Sequence, residues 1–218
     1  MPPPDDSPDT RERLVQAAME LFVLQGYGST GLAQIARSAG ARPGSLYWFF
    51  PTKEALLAAT LERRKELLWP DVLEPIWSGV DDPLERVFAL LDGYRRMLEL
   101  TDFAHGCPIG NLALELAESH PRTRSLLAEN FDNWLDAVER CFADARDRLP
   151  DDVEPRRLAI FVLTTMEGAV MLGRTYRSFD AYDAAVTSLR EYVDLLVARA
   201  TSWGPEDAAR EQTRRERA

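Results

Sequence analysis

Apolar residues in this chain recur at three- and four-residue intervals in one block after another, and nowhere alternate with period two long enough to make a sheet. That regularity restricts the fold to packed helices. Leu14, Ala17, Ala18, Leu21 and Phe22 form the first block, opened by a capping box of Asp9 and Glu12 and stopped by Gly26. Thr30 precedes a short block with Ile35, Ala36 and Ala39 on one face, ended by Gly40. Pro43, a residue favoured in a first helical turn, opens a third with Leu46, Phe49 and Phe50. Thr52 caps a fourth, whose Leu56, Leu57, Thr60 and Leu61 continue toward Trp69. Pro70, Pro75 and Gly79 then break the pattern and mark the joint between domains, although the fourth helix can run across it. Asp82, Pro83 and Glu85 start a helix with Leu84, Val87, Phe88, Leu91 and Leu98 on its apolar side. Further helices are expected from about Pro108 to Ser119, Pro121 to Arg148, Pro155 to Arg177 and Ala181 to Ser202.

With 218 residues, 45% of them apolar, such helices can bury a core. The net charge of −10 argues against indiscriminate coating of nucleic acid, which needs clustered Lys and Arg. The charge is unevenly spread, however. Thr10 to Lys65 carries eight basic and four acidic residues, a surplus of +4 that leaves −14 for the rest. Two cysteines, Cys107 and Cys141, make no disulfide framework and are expected to be small buried hydrophobes. The opening MPPPDD lacks the basic and apolar regions of a secretory signal, so the expected location is the cytoplasm. No run approaches the roughly 18 to 20 continuous apolar residues of a membrane span, and no membrane partner is expected. Residues 1–9 and 204–218 lack apolar periodicity and are expected to be a mobile and a disordered tail.

Two short helices joined at Ala39-Gly40-Ala41, the second opening on small and polar residues, form a helix-turn-helix pattern over about residues 31–50. Such a motif places its second helix in the major groove of DNA. The residues from Arg11 to Leu57, RERLVQAAMELFVLQGYGSTGLAQIARSAGARPGSLYWFFPTKEALL, resemble the DNA-binding domain of the tetracycline-repressor (TetR/AcrR) family. The matching landmarks are Gly26-Tyr27, Thr30, Ile35-Ala36, Ala39-Gly40, Gly44-Ser45-Leu46-Tyr47, Phe50 and Lys53-Glu54. The resemblance implies an all-α fold of about nine helices: a helix-turn-helix domain over residues 10–55 and a larger ligand-binding and dimerisation domain over 56–203.

Each DNA-facing candidate has a physical role. Thr30 is expected to cap the second helix, whose N-terminus suits a phosphate. Pro43 opens the recognition helix, and Gly44 lets it approach the groove or a neighbouring helix closely. Ser45 and Tyr47 can hydrogen-bond bases or phosphates, and Lys53 can pair with a phosphate. Arg42 can reach a guanine or a phosphate. The chain departs from the family pattern at Ala41-Arg42, where Val-Ser is usual, and at Trp48, where His or Tyr is usual. These two departures are where an individual operator preference is expected. Packing on the first or fourth helix is the alternative for Tyr47 and Trp48, whereas Leu46, Phe49 and Phe50 read as core.

Beyond about residue 80 the segments GCPIGNLALELA (Gly106 to Ala117) and EGAVMLGRTYRS (Glu167 to Ser178) resemble the repressors grouped with LmrA and YxaF. That resemblance implies a homodimer joined by the last two long helices. Gly168, Ala169 and Gly173 would allow close helix approach, and Leu189, Tyr192, Val193 and Leu196 give an apolar stripe beside them. An intrachain hairpin of the two helices explains the same pattern. Phe88, Tyr94, Phe103, Phe131, Trp134, Met166, Met171 and Tyr176 are candidate lining of a small-molecule cavity, with Asn111, Glu115 and Glu167 as its polar groups. Two acids beside an apolar cavity suit a cationic or hydrogen-bonding effector, although surface or dimer salt bridges account for them equally well.

Enzyme chemistry finds no support. His105 and His120 are the only histidines, no HExxH, paired CxxC, phosphate-binding Gly loop or GxSxG occurs, and neither cofactor nor metal is implied. The expected function is a ligand-responsive regulator, in family terms a repressor, released from pseudo-palindromic double-stranded operator DNA by a small-molecule effector. The alternative is a ligand- or protein-binding module of the same fold that no longer reads DNA.

Overall fold

The structure is a computed structural model that describes residues 8–116 and 121–202. The tail expected over 204–218, all but the last two residues of that over 1–9, and the end of the helix expected at Ser119 lie outside the described residues. Every regular element described is helical. In chain order they are α1 (Pro8–Gln25), α2 (Leu32–Ser38), α3 (Pro43–Phe49), α4 (Lys53–Leu67), a π-helical turn (Leu68–Leu73), α5 (Glu74–Trp77), α6 (Pro83–Leu100), α7 (Pro108–Leu116), α8 (Pro121–Asp144), a 3-10 turn (Arg146–Arg148), α9 (Pro155–Tyr176) and α10 (Asp180–Ser202). Because α4, the π turn and α5 follow without a gap, the described residues form nine continuous helical rods, as expected.

Three boundaries differ from the sequence reading. Asp9 lies inside α1, ion-paired with Arg13, and Glu12 pairs with Arg63 of α4, so neither forms a capping box. The helix after Pro121 ends at Asp144 and tightens into the 3-10 turn rather than running to Arg148. Pro70 and Pro75 do not interrupt the rod. A proline lacks the N–H that a helix interior needs and its ring crowds the preceding turn. Here the chain widens to a π turn over Leu68–Leu73, which holds Pro70 and leads directly into Pro75 at the start of α5, so the wider turn accommodates both rings without a break. The rod ends at Gly79, whose φ of +79° suits a residue without a Cβ.

Two buried clusters organise the molecule. The first joins Leu14, Phe22, Ile35, Leu46 and Phe50 of α1 to α3 to Leu56, Leu57 and Leu61 of α4, and takes in Leu112 and Leu116 of α7 and Leu127 of α8. This core therefore does not stop at residue 55. It seats the N-terminal helices directly on α7 and α8. The second cluster binds α6, α8, α9 and α10 through Val87, Phe88, Leu91, Phe142, Met166 and Val193. Helix α4 is held to α8 by a polar row: Asn130 Nδ2 donates to the Leu61 carbonyl at 3.1 Å, Asn133 Nδ2 donates to the Lys65 carbonyl at 3.0 Å, and Lys65 pairs with Glu129. Helix α9 is long and apolar enough to cross a membrane by length and composition alone. Its buried positions pack on α8 and α10, however, and Glu167 and Arg174 interrupt its sequence.

Candidate DNA-reading surface and effector cavity

Helix α2 ends in a Schellman turn. Gly40, at φ +61°, places the Ala41 N–H on the Ala36 carbonyl at 2.9 Å, and the Gly40 N–H bonds Arg37 at 3.1 Å. Arg13 of α1 donates its Nε to the Ala39 carbonyl and so fixes the turn from below. Helix α3 leaves that turn with Pro43 in its first position. Its period divides it in two: Leu46 is buried and Phe49 half-buried, whereas Arg42, Pro43, Gly44, Tyr47 and Trp48 are exposed. Tyr47 and Trp48 are 58% and 60% exposed, values unusual for large aromatic side chains, and Trp48 is steadied edge-on against Phe49 at 4.6 Å. Among the described residues nothing stands within 4 Å of where a Gly44 Cβ would lie, so that residue leaves room for close approach.

Three expected DNA contacts are placed elsewhere. Ser45 is fully buried, its hydroxyl without a hydrogen-bond partner among the described residues, because it falls on the inward side of α3 one residue from Leu46. Thr30 is also buried and does not cap α2: Gly31 occupies the N-cap, and the Thr30 hydroxyl donates to the Gly26 carbonyl at 2.6 Å. It staples the turn between α1 and α2 instead. Lys53 donates its Nζ to the Tyr27 carbonyl and lies 4.1 Å from the Tyr27 ring centre, and burial lowers its pKa. Of the other basic residues in this half, Arg13, Arg63 and Lys65 are ion-paired within the chain.

Glu115 is the largest departure from expectation. It does not face a cavity. From the last turn of α7 its carboxylate accepts the Tyr27 N–H at 2.9 Å and the Gly28 N–H, which spans α7 and the turn between α1 and α2. The seat favours glycine: a Cβ on Gly26 or Gly28 would lie 3.0 or 2.9 Å from the Glu115 oxygens and displace that carboxylate, and Gly26 also takes φ +81°. Gly26-Tyr27, legible as a helix stop, is thus also a docking point for the sensor half.

Two adjoining cavities lie between α4, α6, α7, α8 and α9. The inner one, about 150 Å³, is lined by Arg64, Tyr94, Cys107, Phe131, Trp134 and Glu167, with Met166 behind. The outer one, about 620 Å³, shares Cys107, Phe131 and Glu167 and adds Phe103, Asn111 and Met171. Of the expected lining, Phe88, Glu115 and the exposed Tyr176 are absent, whereas Tyr94 is present. Phe88 is core, covered by the Arg190 guanidinium at 3.8 Å, because it lies on the side of α6 that faces α10. The wall between α7 and α9 is built from the two segments singled out in the sequence. Arg174 donates to Asn111 Oδ1 at 3.1 Å and to the Ala104 carbonyl at 3.3 Å, and a Cβ on Gly106 or Gly110 would strike Arg174 or Glu167. Burial raises the Glu167 carboxyl above its ordinary pKa, opposed by the Cys107 thiol, and one of its oxygens has no hydrogen-bond partner. Cys107 and Cys141 are buried, and burial holds both thiols protonated, Cys141 at about 11.

Arg64 was not singled out from sequence. It continues the stripe of Leu57 and Leu61 on α4, one turn beyond Leu61, where it is half-buried, and burial lowers its pKa. A charged residue on an apolar stripe was the signal available. Tyr94, whose hydroxyl is buried beside Trp134, carries a strongly raised pKa from burial.

The expected dimer residues separate into two sets. Ala169, Gly173, Leu189, Val193 and Leu196 are buried inside the single chain, where α10 packs on α9 and α6. The strongest apolar stripe served the chain's own core, as an intrachain hairpin requires. Gly168 and Tyr192 do face outward, on a surface that also shows Phe161, Leu172 and Leu195. Phe161 and Tyr192 stack edge-on across α9 and α10 at 5.5 Å.

Comparison with known proteins agrees with this architecture. Residues 14–60 match the family described as bacterial regulatory proteins, tetR family, and residues 83–189 match the tetracyclin repressor-like C-terminal domain. The chain is 31% identical over 194 residues to the uncharacterized HTH-type transcriptional regulator Rv0196 of Mycobacterium tuberculosis, covering 86% of this chain and 94% of that one. It is 30% identical over 171 residues to the HTH-type transcriptional regulator LmrA of Bacillus subtilis, covering 78% and 89%. The crystal structure of a TetR transcriptional regulator from Chloroflexus aurantiacus superposes with a TM-score of 0.74 at 30% identity, covering 85% of this chain and 94% of that one. The chain belongs to the TetR family of DNA-binding transcriptional regulators.

Proposed function

We propose that the protein is a homodimeric repressor that reads a pseudo-palindromic operator with the outer face of α3 and releases it when a small molecule enters the cavities behind α4 and α7. The observation that carries the reading is the division of α3: Tyr47 and Trp48 are held in water beside Arg42 and Gly44, while Leu46 anchors the helix from behind. A twofold dimer formed across Gly168, Phe161, Leu172, Tyr192 and Leu195 would present two such helices about 34 Å apart, one turn of DNA. Effector control follows from differential affinity: an occupant that favours a different spacing of the two α3 helices weakens DNA binding, and DNA weakens its binding in return. Two connections reach from the cavity to the DNA-binding helices, Arg64 on α4 and the α7 wall that ends in Glu115.

Selection of random duplex DNA on the purified protein at about 0.15 M salt tests this. Enrichment of an inverted repeat is expected, and loss of that enrichment in Tyr47→Ala. A folded dimer that enriches no sequence, after extraction of any copurified small molecule, would refute it. The second reading, a binding module that no longer reads DNA, draws on the intrachain engagement of Arg13, Lys53, Arg63 and Lys65. The same selection decides between them.

A further inference from the structure

The sequence suggests an acidic cavity, and the structure places a basic group in it. Glu115 leaves the cavity for the turn between α1 and α2. Glu167 stays, but burial favours its neutral form, in which a carboxyl can donate as well as accept a hydrogen bond. What remains is Arg64. Arg64 lines the inner cavity, with no carboxylate within ion-pairing distance and no hydrogen bond among the described residues. The groups that act on it there are the Cys107 thiol and the Tyr94 hydroxyl, both neutral. Asp71, the other acid of the lining, is exposed to solvent. An arginine is always charged, and Arg64 is half-buried, so a charge partly withdrawn from water without a partner gains from an anion brought to it. The surrounding surface is aromatic: Tyr94, Phe131 and Trp134 face the same space.

We propose that the effector is an aromatic organic acid, whose ring lies among Tyr94, Phe131 and Trp134 and whose carboxylate pairs with the Arg64 guanidinium. This rests on the effector-released reading above and names the chemistry of its ligand. The inner cavity, at about 150 Å³, has room for one ring, on the scale of an engineered apolar cavity that holds benzene. The outer cavity, sharing Phe131 and Glu167, takes a larger body. A planar guanidinium matches a carboxylate with two parallel hydrogen bonds, which an amide or an amine does not reproduce. Arg64 lies 11 residues along α4 from Lys53, about 16 Å at 1.5 Å per residue, so the anion would grip the rod that begins at the DNA-binding helices.

The test is a calorimetric titration of the full chain with three matched one-ring probes: benzoate, benzamide and benzylammonium. The acid is expected to bind at least tenfold more tightly than the other two. Arg64→Met, which keeps the stem and removes the charge, should erase that preference without lowering the melting temperature of the free protein. Arg64→Lys should restore part of it. Equal binding of the three, preference for the amine, no binding of any, or acid binding indifferent to Arg64→Met overturns the proposal. Operator release is scored in parallel with the DNA selected above, using a broad set of neutral and cationic compounds as well. Release by one of those would retain the effector-released reading while the acid is refuted, and a cavity that fills without any change in operator binding would refute that reading itself.

Discussion

The contact between Glu115 and the turn at Tyr27 and Gly28 makes a quantitative claim about how the sensor half holds the DNA-binding half. Two backbone N–H groups donate to one carboxylate, and hydrogen bonds to charged groups contribute about 1.5–3 kcal/mol each in favourable settings. Both bonds lie at the surface, and the freed N–H groups can turn to water, so the pair together contributes about 1–2 kcal/mol. Couplings between sites in allosteric proteins are typically about 1–3 kcal/mol, and about 1.4 kcal/mol is a tenfold change in affinity. Glu115→Ala should therefore leave a folded protein, because Leu112, Leu116 and Leu127 still join the halves, yet lower the effect of cavity occupation on operator affinity by about tenfold. Amide hydrogen exchange supplies a readout that needs no effector: the Tyr27 and Gly28 amides should exchange faster in Glu115→Ala, with α1 itself unaffected. Gly28→Ala puts a methyl group 2.9 Å from the same carboxylate oxygen and should produce the same loss. The double variant should be no worse than either single one, since both remove one interaction. Additive effects, or unchanged exchange at Tyr27 and Gly28, would refute the reasoning.

Glu167 predicts a pH dependence. Its carboxyl pKa is raised in the folded state, so its contribution to stability is full below the unfolded value near 4.5 and is lost as pH rises through the folded value. Thermal melts of Glu167→Gln and of the parent should therefore diverge above about pH 4.5, the parent losing stability relative to the variant; parallel curves would contradict the burial argument. On the outer face of α9 and α10, Leu195→Glu is expected to yield folded monomers by analytical ultracentrifugation, whereas Leu189→Ala should cost about 2–5 kcal/mol of folding stability, as buried leucines do. If Leu195→Glu remains dimeric, the dimer uses another surface.

The helical architecture and the helix-turn-helix were legible because both rest on local signals: spacing, caps and a glycine turn. The inward side of α3 was only half read. Ser45 carries a hydroxyl suited to DNA, but its position one residue from Leu46 turns it toward the core, and geometry overrides residue type. Leu189, Val193 and Leu196 show the opposite limit. A stripe strong enough to bury is visible in sequence, yet nothing in it tells whether the chain's own helices or a second copy will cover it. Glu115 and Glu167 look alike as acids on amphipathic helices. Only packing shows that one caps a distant turn while the other is buried against Gly110. Arg64 was readable in principle, as a charge on the stripe of Leu57 and Leu61, but its isolation from every carboxylate is a property of the assembled cavity.

The central claim is that the exposed side of α3, and not its residue types, decides what touches DNA. The direct measurement is a fluorescence anisotropy titration of the selected operator with the parent, Tyr47→Ala, Trp48→Ala and Ser45→Ala at about 0.15 M salt. The account predicts at least tenfold weaker binding for Tyr47→Ala and Trp48→Ala at unchanged melting temperature, with Ser45→Ala within twofold of the parent because its hydroxyl faces the core. Strong loss in Ser45→Ala, with Tyr47→Ala and Trp48→Ala binding as the parent does, would contradict it.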